Sequence, residues 1–210
     1  MNYKNILNNL ASNLEEFILS KAEGVEIPTE DFGWYNKRFI ANEFRISHIE
    51  RYSDKNLEVL HFTCFPNPTC QMPVFGCDII TTNKKPLAAF MDWSPIDNVV
   101  SMNETNEFET KYPLPDWAKI IFSPTALAII PTDNEMEKLC EVIMNQFETY
   151  YTMVKESALM PERKEYIIAS QNRYCDYQQR NERTFNVLKA KLGEERAKHF
   201  MSEILFPKIN

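Results

Sequence analysis

Glu50, His61 and Asp78 fall on three consecutive segments of strand character, which would offer an acid, a base and a second acid to one face of a sheet. The chain has only three histidines, and one of them stands in the apolar run LHFTCF with an acid on either side in sequence. Residues 43–52 and 57–65 read as a hairpin turning at Ser53, Asp54, Lys55 and Asn56. A turn centred near 54 and 55 places His48 opposite His61, with Glu50 one diagonal step away on the same face. A third strand, 74–80, carries Asp78 on a face with Val74, Gly76 and Ile80. Gly76 leaves that face a gap, which suits a flat ligand, a bulge or a close backbone approach. A carboxylate among Phe75, Cys77, Ile79 and Ile80 is costly to bury unless it is paired or protonated. Beside a histidine, a carboxyl of raised pKa would donate protons near neutral pH. The competing explanation for His61 is a packed, hydrogen-bonded core residue.

The elements that must position these groups follow from periodicity. Residues 3–20 carry Ile6, Leu10, Leu14, Phe17 and Ile18 on one side of a helix. Residues 25–37, with Pro28 and Gly33, show no clean period and read as a loop or short packed segment. A fourth strand runs from Leu87 to Trp93, residues 96–112 form a polar surface crossing, and 117–130 supply one or two strands interrupted at Pro124. Helical period returns over 134–159, 164–177, 184–192 and 194–205, the last two separated by Gly193. Consecutive strands with short connections predict an antiparallel meander covered by helices on both faces, in one domain over residues 1–210.

Composition narrows the function. A net charge of -7 without a basic stripe argues against nucleic acid as the main partner. No apolar run is long enough to span a membrane and the N-terminus lacks a signal-peptide pattern, so a soluble, cytoplasmic protein is expected. The five cysteines contain no C-x-x-C pair, which disfavours a disulfide framework, structural zinc or an iron–sulfur cluster. No G-x-G-x-x-G or Walker loop is present. Electrons, if used, must come from outside or from a bound organic group.

Four segments carry a family resemblance: Leu60 to Ile80, MDWSP (Met91 to Pro95), YPLPDW (Tyr112 to Trp117), and Arg173 to Phe206. Together they resemble ferredoxin-dependent bilin reductases, in particular phycocyanobilin:ferredoxin oxidoreductase and its shortened, virus-associated relatives, over roughly four-fifths of the chain. The resemblance implies an α/β fold, a three-layer α/β/α sandwich with a central antiparallel sheet, binding biliverdin IXα between the sheet and the C-terminal helices. It implies no metal or flavin held by the chain, and single electrons arriving from reduced [2Fe–2S] ferredoxin. A monomer is expected, virus-encoded and acting in a cyanobacterial or other bacterial host.

Carried over residue by residue, the resemblance places His61 and Asp78 at the central or lactam region of the bilin, and Glu50 at the group serving the D-ring vinyl. Asn181, Glu182, Arg183 and Thr184 resemble an Asn-Asp-Lys-Thr segment that lines the family's pocket. Glu182 extends the carboxylate by about 1.3 Å relative to aspartate, and Arg183 replaces a point charge by a planar fork. Met72, Met91 and Phe90 are either core residues or contacts to the tetrapyrrole. Glu50 with His61 and Asp78 fits the phycocyanobilin route through an 18,19-dihydro intermediate. Chain length and Glu182 resemble the viral relatives that make phycoerythrobilin through 15,16-dihydrobiliverdin, and that product is expected here. Lys84, Lys85, Lys189, Lys191, Arg196 and Lys198 are candidates for ferredoxin docking. The rivals are a bilin-binding protein without catalysis, a structural interaction protein and a metalloenzyme; the last lacks any H-x-x-x-H or H-E-x-x-H pattern.

Overall fold

The computed structural model describes residues 1–96, 100–102, 108–116 and 118–210. Seven strands form one antiparallel sheet in sequence order: β1 (Val25–Ile27), β2 (Tyr35–Ile40), β3 (Phe44–Ser53), β4 (Leu57–Pro66), β5 (Val74–Thr82), β6 (Pro86–Ser94) and β7 (Leu127–Ile129). Helix α1 (Tyr3–Ser20) precedes the sheet, and α2 (Met136–Glu156), α3 (Lys164–Gln178), α4 (Glu182–Leu192) and α5 (Glu194–His199) follow it. The expected meander is therefore observed, with a longer sheet than the sequence suggests. Residues 25–37 contribute β1 and the start of β2, whose shortness and interrupting Pro28 hide the strand period. In 117–130 only Leu127–Ile129 is strand; Ala118–Ile120 is a 3-10 turn and Trp117 lies outside the described residues. Part of the predicted polar crossing, 97–99 and 103–107, also lies outside them. The expected helix 194–205 changes pitch at Phe200 and finishes as a π-helical turn, Phe200–Leu205.

Alternation sorts the strands into two unlike faces. Ile49, Phe62, Cys77, Met91 and Leu127 oppose one another across β3 to β7 and join the core beneath α1 and α2. Helix α1 starts because Asn2 accepts a hydrogen bond from the Asn5 amide at 3.1 Å, and it buries Leu7, Leu10, Leu14 and Ile18 at helical spacing. Helix α2 is preceded by a capping box in which Glu135 accepts from the Thr132 amide at 2.7 Å and its hydroxyl at 2.8 Å. Its Phe147 is fully buried against Phe17, Phe62 and Phe75, with ring centroids 5.1, 4.8 and 5.2 Å apart. Met72 and Met91 also belong to this core. The buried Arg51–Glu58 pair, 2.8 Å apart, sits on the same side, with Arg51 also donating to the Val59 carbonyl at 2.6 Å and to Asn8 of α1 at 3.1 Å. The opposite face meets a smaller core built from Phe65, Val74, Tyr174 and Phe200, under α3, α5 and the π-helical turn.

Because Phe147 joins α1, α2 and three strands, Phe147→Ala should lower unfolding free energy by about 3–5 kcal/mol. Urea denaturation monitored by circular dichroism measures it, and a loss below about 1 kcal/mol would contradict this packing.

Candidate active site

The second face carries a continuous cross-strand row: Asn36, Glu50, His61, Asp78, Phe90 and Ala128 stand directly opposite one another from β2 to β7. Glu50, not His48, therefore faces His61, and His48 pairs with Thr63. The turn explains the correction. Asp54 Oδ1 accepts from the amides of Asn56 and Leu57 at 2.7 and 2.8 Å, an Asx turn that closes the hairpin between Ser53 and Glu58. The turn centre moves one position toward the C-terminus and parity is kept, so all three chemical groups stay on one face.

His61 Nδ1 lies 2.7 Å from Asp78 Oδ1. His61 and Glu50 are each 6% exposed, whereas the Asp78 side chain is 40% exposed. The expectation of a buried Asp78 is thus corrected: β5 turns this carboxylate into open space, and the buried acid is Glu50. Burial pushes Glu50 up to about 7, with Asp78 adding to the rise while His61 and the Trp34 indole pull the other way. For His61, burial opposes protonation, but Asp78 and then Glu50 outweigh it and raise the imidazole above its usual value. His48 behaves oppositely: burial, with His61 and Arg38 nearby, holds it well below its usual value. Its Nε2 meets Asn36 Oδ1, while His48 Nδ1 and His61 Nε2 are buried without a hydrogen-bond partner. The two imidazoles are 5.7 Å apart.

The gap at Gly76 has a different cause from a ligand lying there. A Cβ at Gly76 would stand 3.2 Å from the Tyr174 hydroxyl, so the missing side chain admits Tyr174 of α3 to the sheet. That hydroxyl accepts from Gln178 Nε2 at 3.1 Å.

Above the row lies a cavity of about 680 Å³ whose walls are largely apolar, within the range of roughly 300–1,000 Å³ usual for small-molecule sites. Its sheet wall includes Glu50, His61, Asp78 and Phe90, and its outer wall includes Asn181, Glu182, Arg183 and Thr184 of the α4 start. The structure thus brings together eight of the ten residues singled out in the sequence for catalysis or pigment contact; Met72 and Met91 are the exceptions, buried in the α1–α2 core. Asn181 caps α4, its Oδ1 accepting from the Arg183 and Thr184 amides at 3.2 and 3.3 Å. Arg183 donates to the Tyr112 hydroxyl, and Tyr112 meets Phe90 edge-to-face at 5.1 Å. Trp34, Tyr52, Gln178 and Lys191 also line the cavity, although the sequence does not single them out as pocket residues. Tyr52 carries a readable signal, standing two residues from Glu50 on its face; Trp34 is hidden in the segment without a clean period. Among the described residues, no group of three or more His, Cys, Asp or Glu side chains could hold a metal ion.

A family model, ferredoxin-dependent bilin reductase, matches residues 16–207. The chain belongs to this family. It is therefore a ferredoxin-dependent bilin oxidoreductase. Phycocyanobilin:ferredoxin oxidoreductase from Prochlorococcus marinus (strain MIT 9515) is 27% identical over 201 residues, covering 90% of this chain and 81% of that protein. Its counterpart from a second strain of Prochlorococcus marinus is 30% identical over 194 residues, covering 84% and 76%. The solved structure of PcyX superimposes with a TM-score of 0.67 at 24% identity, covering 97% of this chain and 98% of that one. Phytochromobilin synthase from tomato, solved in complex with biliverdin, gives 0.75 at 16% identity over 93% and 82%. These two likenesses establish the α/β fold. Among the described residues of this bilin reductase, no helix is long and apolar enough to cross a membrane.

Glu50 supplies a stability test with a definite sign. Its folded pKa lies above the unfolded value of 4.5, so the native state keeps a proton that the unfolded state releases, and stability falls as pH rises from about 4.5 to about 7. His61, also raised, contributes stability present below its unfolded value and lost as pH rises through its folded one. Glu50→Gln removes the first effect and the smaller part of the second that Glu50 supplies. Across that window the native chain should lose on the order of 3 kcal/mol relative to the variant. Parallel denaturation curves of the two proteins from pH 4.5 to 8 would contradict the buried-acid assignment.

Proposed function

We propose that the chain reduces biliverdin IXα by four electrons, in single-electron steps each matched by a proton from the sheet row. The observation that carries this is the exposed Asp78 carboxylate at the cavity surface, backed at 2.7 Å by a His61 whose protonated form is favoured. Reduced [2Fe–2S] ferredoxin supplies the electrons, consistent with the family, and binding of biliverdin is supported by the tomato relative solved with that molecule. An open-chain tetrapyrrole presents apolar faces, pyrrole nitrogens and two carboxylates, which suit largely apolar walls, a central acid and a cation such as Arg183.

Each electron added to the conjugated system makes its nitrogens, lactam oxygens and carbons more basic. Asp78 delivers a proton there, and His61 refills Asp78 through the Nδ1–Oδ1 contact. The two act as one coupled acid. Glu50 stands behind His61 in the same row and holds a proton below about pH 7, which makes it the reserve donor. Asn181 fixes the start of α4, so Glu182 and Arg183 are presented from a capped helix end. The reading takes the chain as a monomer with the whole site in a single domain over 1–210.

For the product we propose phycoerythrobilin, formed by way of 15,16-dihydrobiliverdin. Glu182, on the outer wall across the cavity from the sheet acids, supports delivery of a proton to a second region of the bilin. The specific observation favouring phycocyanobilin instead is Glu50 directly opposite His61 with its pKa near 7, a placement suited to an 18,19-dihydro route.

Anaerobic turnover of biliverdin with reduced ferredoxin, followed by absorbance and chromatography of the bilins, tests both levels. Asp78→Asn should bind biliverdin with little change but lower the rate of reduction by roughly 10²–10⁴-fold. An unaltered rate would remove Asp78 from the mechanism, and pigment bound without any reduction by the native protein would leave a binding protein. An early 15,16-dihydro species supports the assigned product, whereas an 18,19-dihydro species overturns it. The rate should fall as pH rises through about 7, with Glu50→Gln flattening that limb; an unchanged profile would exclude Glu50 as a donor.

A further inference from the structure

Charge is distributed unevenly over this acidic chain, and ion pairing separates its lysines into two sets. On α4 and α5 the cations Lys189, Arg196 and Lys198 are already engaged. Lys189 meets Glu194 at 2.7 Å, Lys198 meets Glu194 and Glu195 at 3.0 and 3.4 Å, and Arg196 meets Glu30 at 3.0 Å. Lys55, Lys84 and Lys85 are different: all three are exposed and form no ion pair among the described residues. They sit on two adjacent hairpin turns at one end of the sheet, β3–β4 and β5–β6.

These turns are built, not loose. Asn83 Nδ2 donates to the Lys55 carbonyl and so ties one turn to the other. The Thr82 hydroxyl accepts from the Lys84 and Lys85 amides at 3.2 and 3.0 Å, and Thr82 and Lys85 close the second turn at 2.8 Å. Of the neighbouring acids, Asp54 pairs with Lys191 at 2.5 Å, and Asp133, which accepts from the Tyr3 hydroxyl at 2.7 Å, forms no ion pair with these lysines among the described residues. The three ammonium groups are therefore left unneutralised on a fixed platform.

The platform also adjoins the site. Leu57 and Leu87 line the cavity, and each follows its nearest lysine by two residues, about 7 Å of extended chain. A protein seated on these turns would therefore stand beside the Leu57 and Leu87 wall of the cavity.

We propose that Lys55, Lys84 and Lys85 form the docking face for the reduced [2Fe–2S] ferredoxin, which places carboxylates of its own surface against them. This rests on the bilin-reductase reading above and adds to it the side from which electrons enter. Of the candidates drawn from the sequence, Lys84 and Lys85 are retained, Lys55 is added, and Lys189, Lys191, Arg196 and Lys198 are excluded because each is ion-paired within the chain. Opposite charge at such a face speeds encounter and weakens with salt.

The test is steady-state reduction of biliverdin by the triple variant K55E/K84E/K85E, with ferredoxin as donor and with dithionite plus methyl viologen in its place. The apparent KM for ferredoxin should rise roughly tenfold or more, with its salt dependence largely lost. Biliverdin titration, thermal melting and the rate with the chemical donor should match the native protein, and K198E should behave as native with ferredoxin. The neutral variant K55Q/K84Q/K85Q should fall between native and triple reversal, which guards against misfolding of the reversed protein. An unchanged KM in the triple reversal, or an equal rise in K198E, would overturn the docking face. Failure of the native protein to reduce biliverdin even with the chemical donor would instead overturn the substrate assignment.

Discussion

A 2.7 Å contact between an imidazole and a carboxylate, made across two neighbouring strands, is the constraint around which the molecule is arranged. The pair needs unequal surroundings. His61 is enclosed, so the neighbouring acids dominate its protonation, and Asp78 is partly open, as the proton transfer proposed here requires. A pleated sheet provides this because directly opposed residues share a face but sit at different distances from its covered end. Glu50 completes the row by adding a second acid behind the imidazole, and its own burial keeps it protonated near neutrality.

Such a row would be costly if the whole sheet had to bury it. The opposite face supplies most of the stabilising burial, with Ile49, Phe62, Cys77 and Met91 packed beneath α1 and α2 around Phe147. The polar face is then free to remain under-packed, and its small core of Phe65, Val74 and Phe200 closes only one end of the layer. Stability and chemistry thus occupy opposite sides of the same strands. This division also explains why Met72 and Met91, attractive as pigment contacts for their soft side chains, belong instead to the densely packed side.

Much of this was legible in the residues. The long strands, the helices and the shared face of Glu50, His61 and Asp78 follow from periods of two and of 3.6, and parity survives a shifted turn. What periodicity could not supply was the register, which depends on the Asx turn at Asp54, or the two short strands before residue 41, one of which follows the segment that brings in Trp34. Exposure of Asp78 was also illegible, since a strand of apolar neighbours says nothing about whether a third layer covers it. Gly76 signalled a close approach but not its source; the Tyr174 hydroxyl arrives from a helix roughly a hundred residues away in sequence. The resemblance pointed to the α4 residues that line the cavity, whereas their capping and their contact with Tyr112 are properties of the folded chain.

Helix α4 contributes only Leu188 to the fully buried interior; Phe185 and Leu192 are partly buried against the smaller core, and polar contacts run from Arg183 to Tyr112 and from Lys191 to Asp54. Detaching it forfeits one fully buried leucine, the partial burial of Phe185 and Leu192, and polar contacts that water readily replaces. Lifting α1 or α2 would instead expose a whole aromatic cluster. The wall that α4 builds over the Glu50–His61–Asp78 row is consequently held by less burial than α1 and α2 give the sheet floor, so under stress the floor keeps its geometry longer than the wall does.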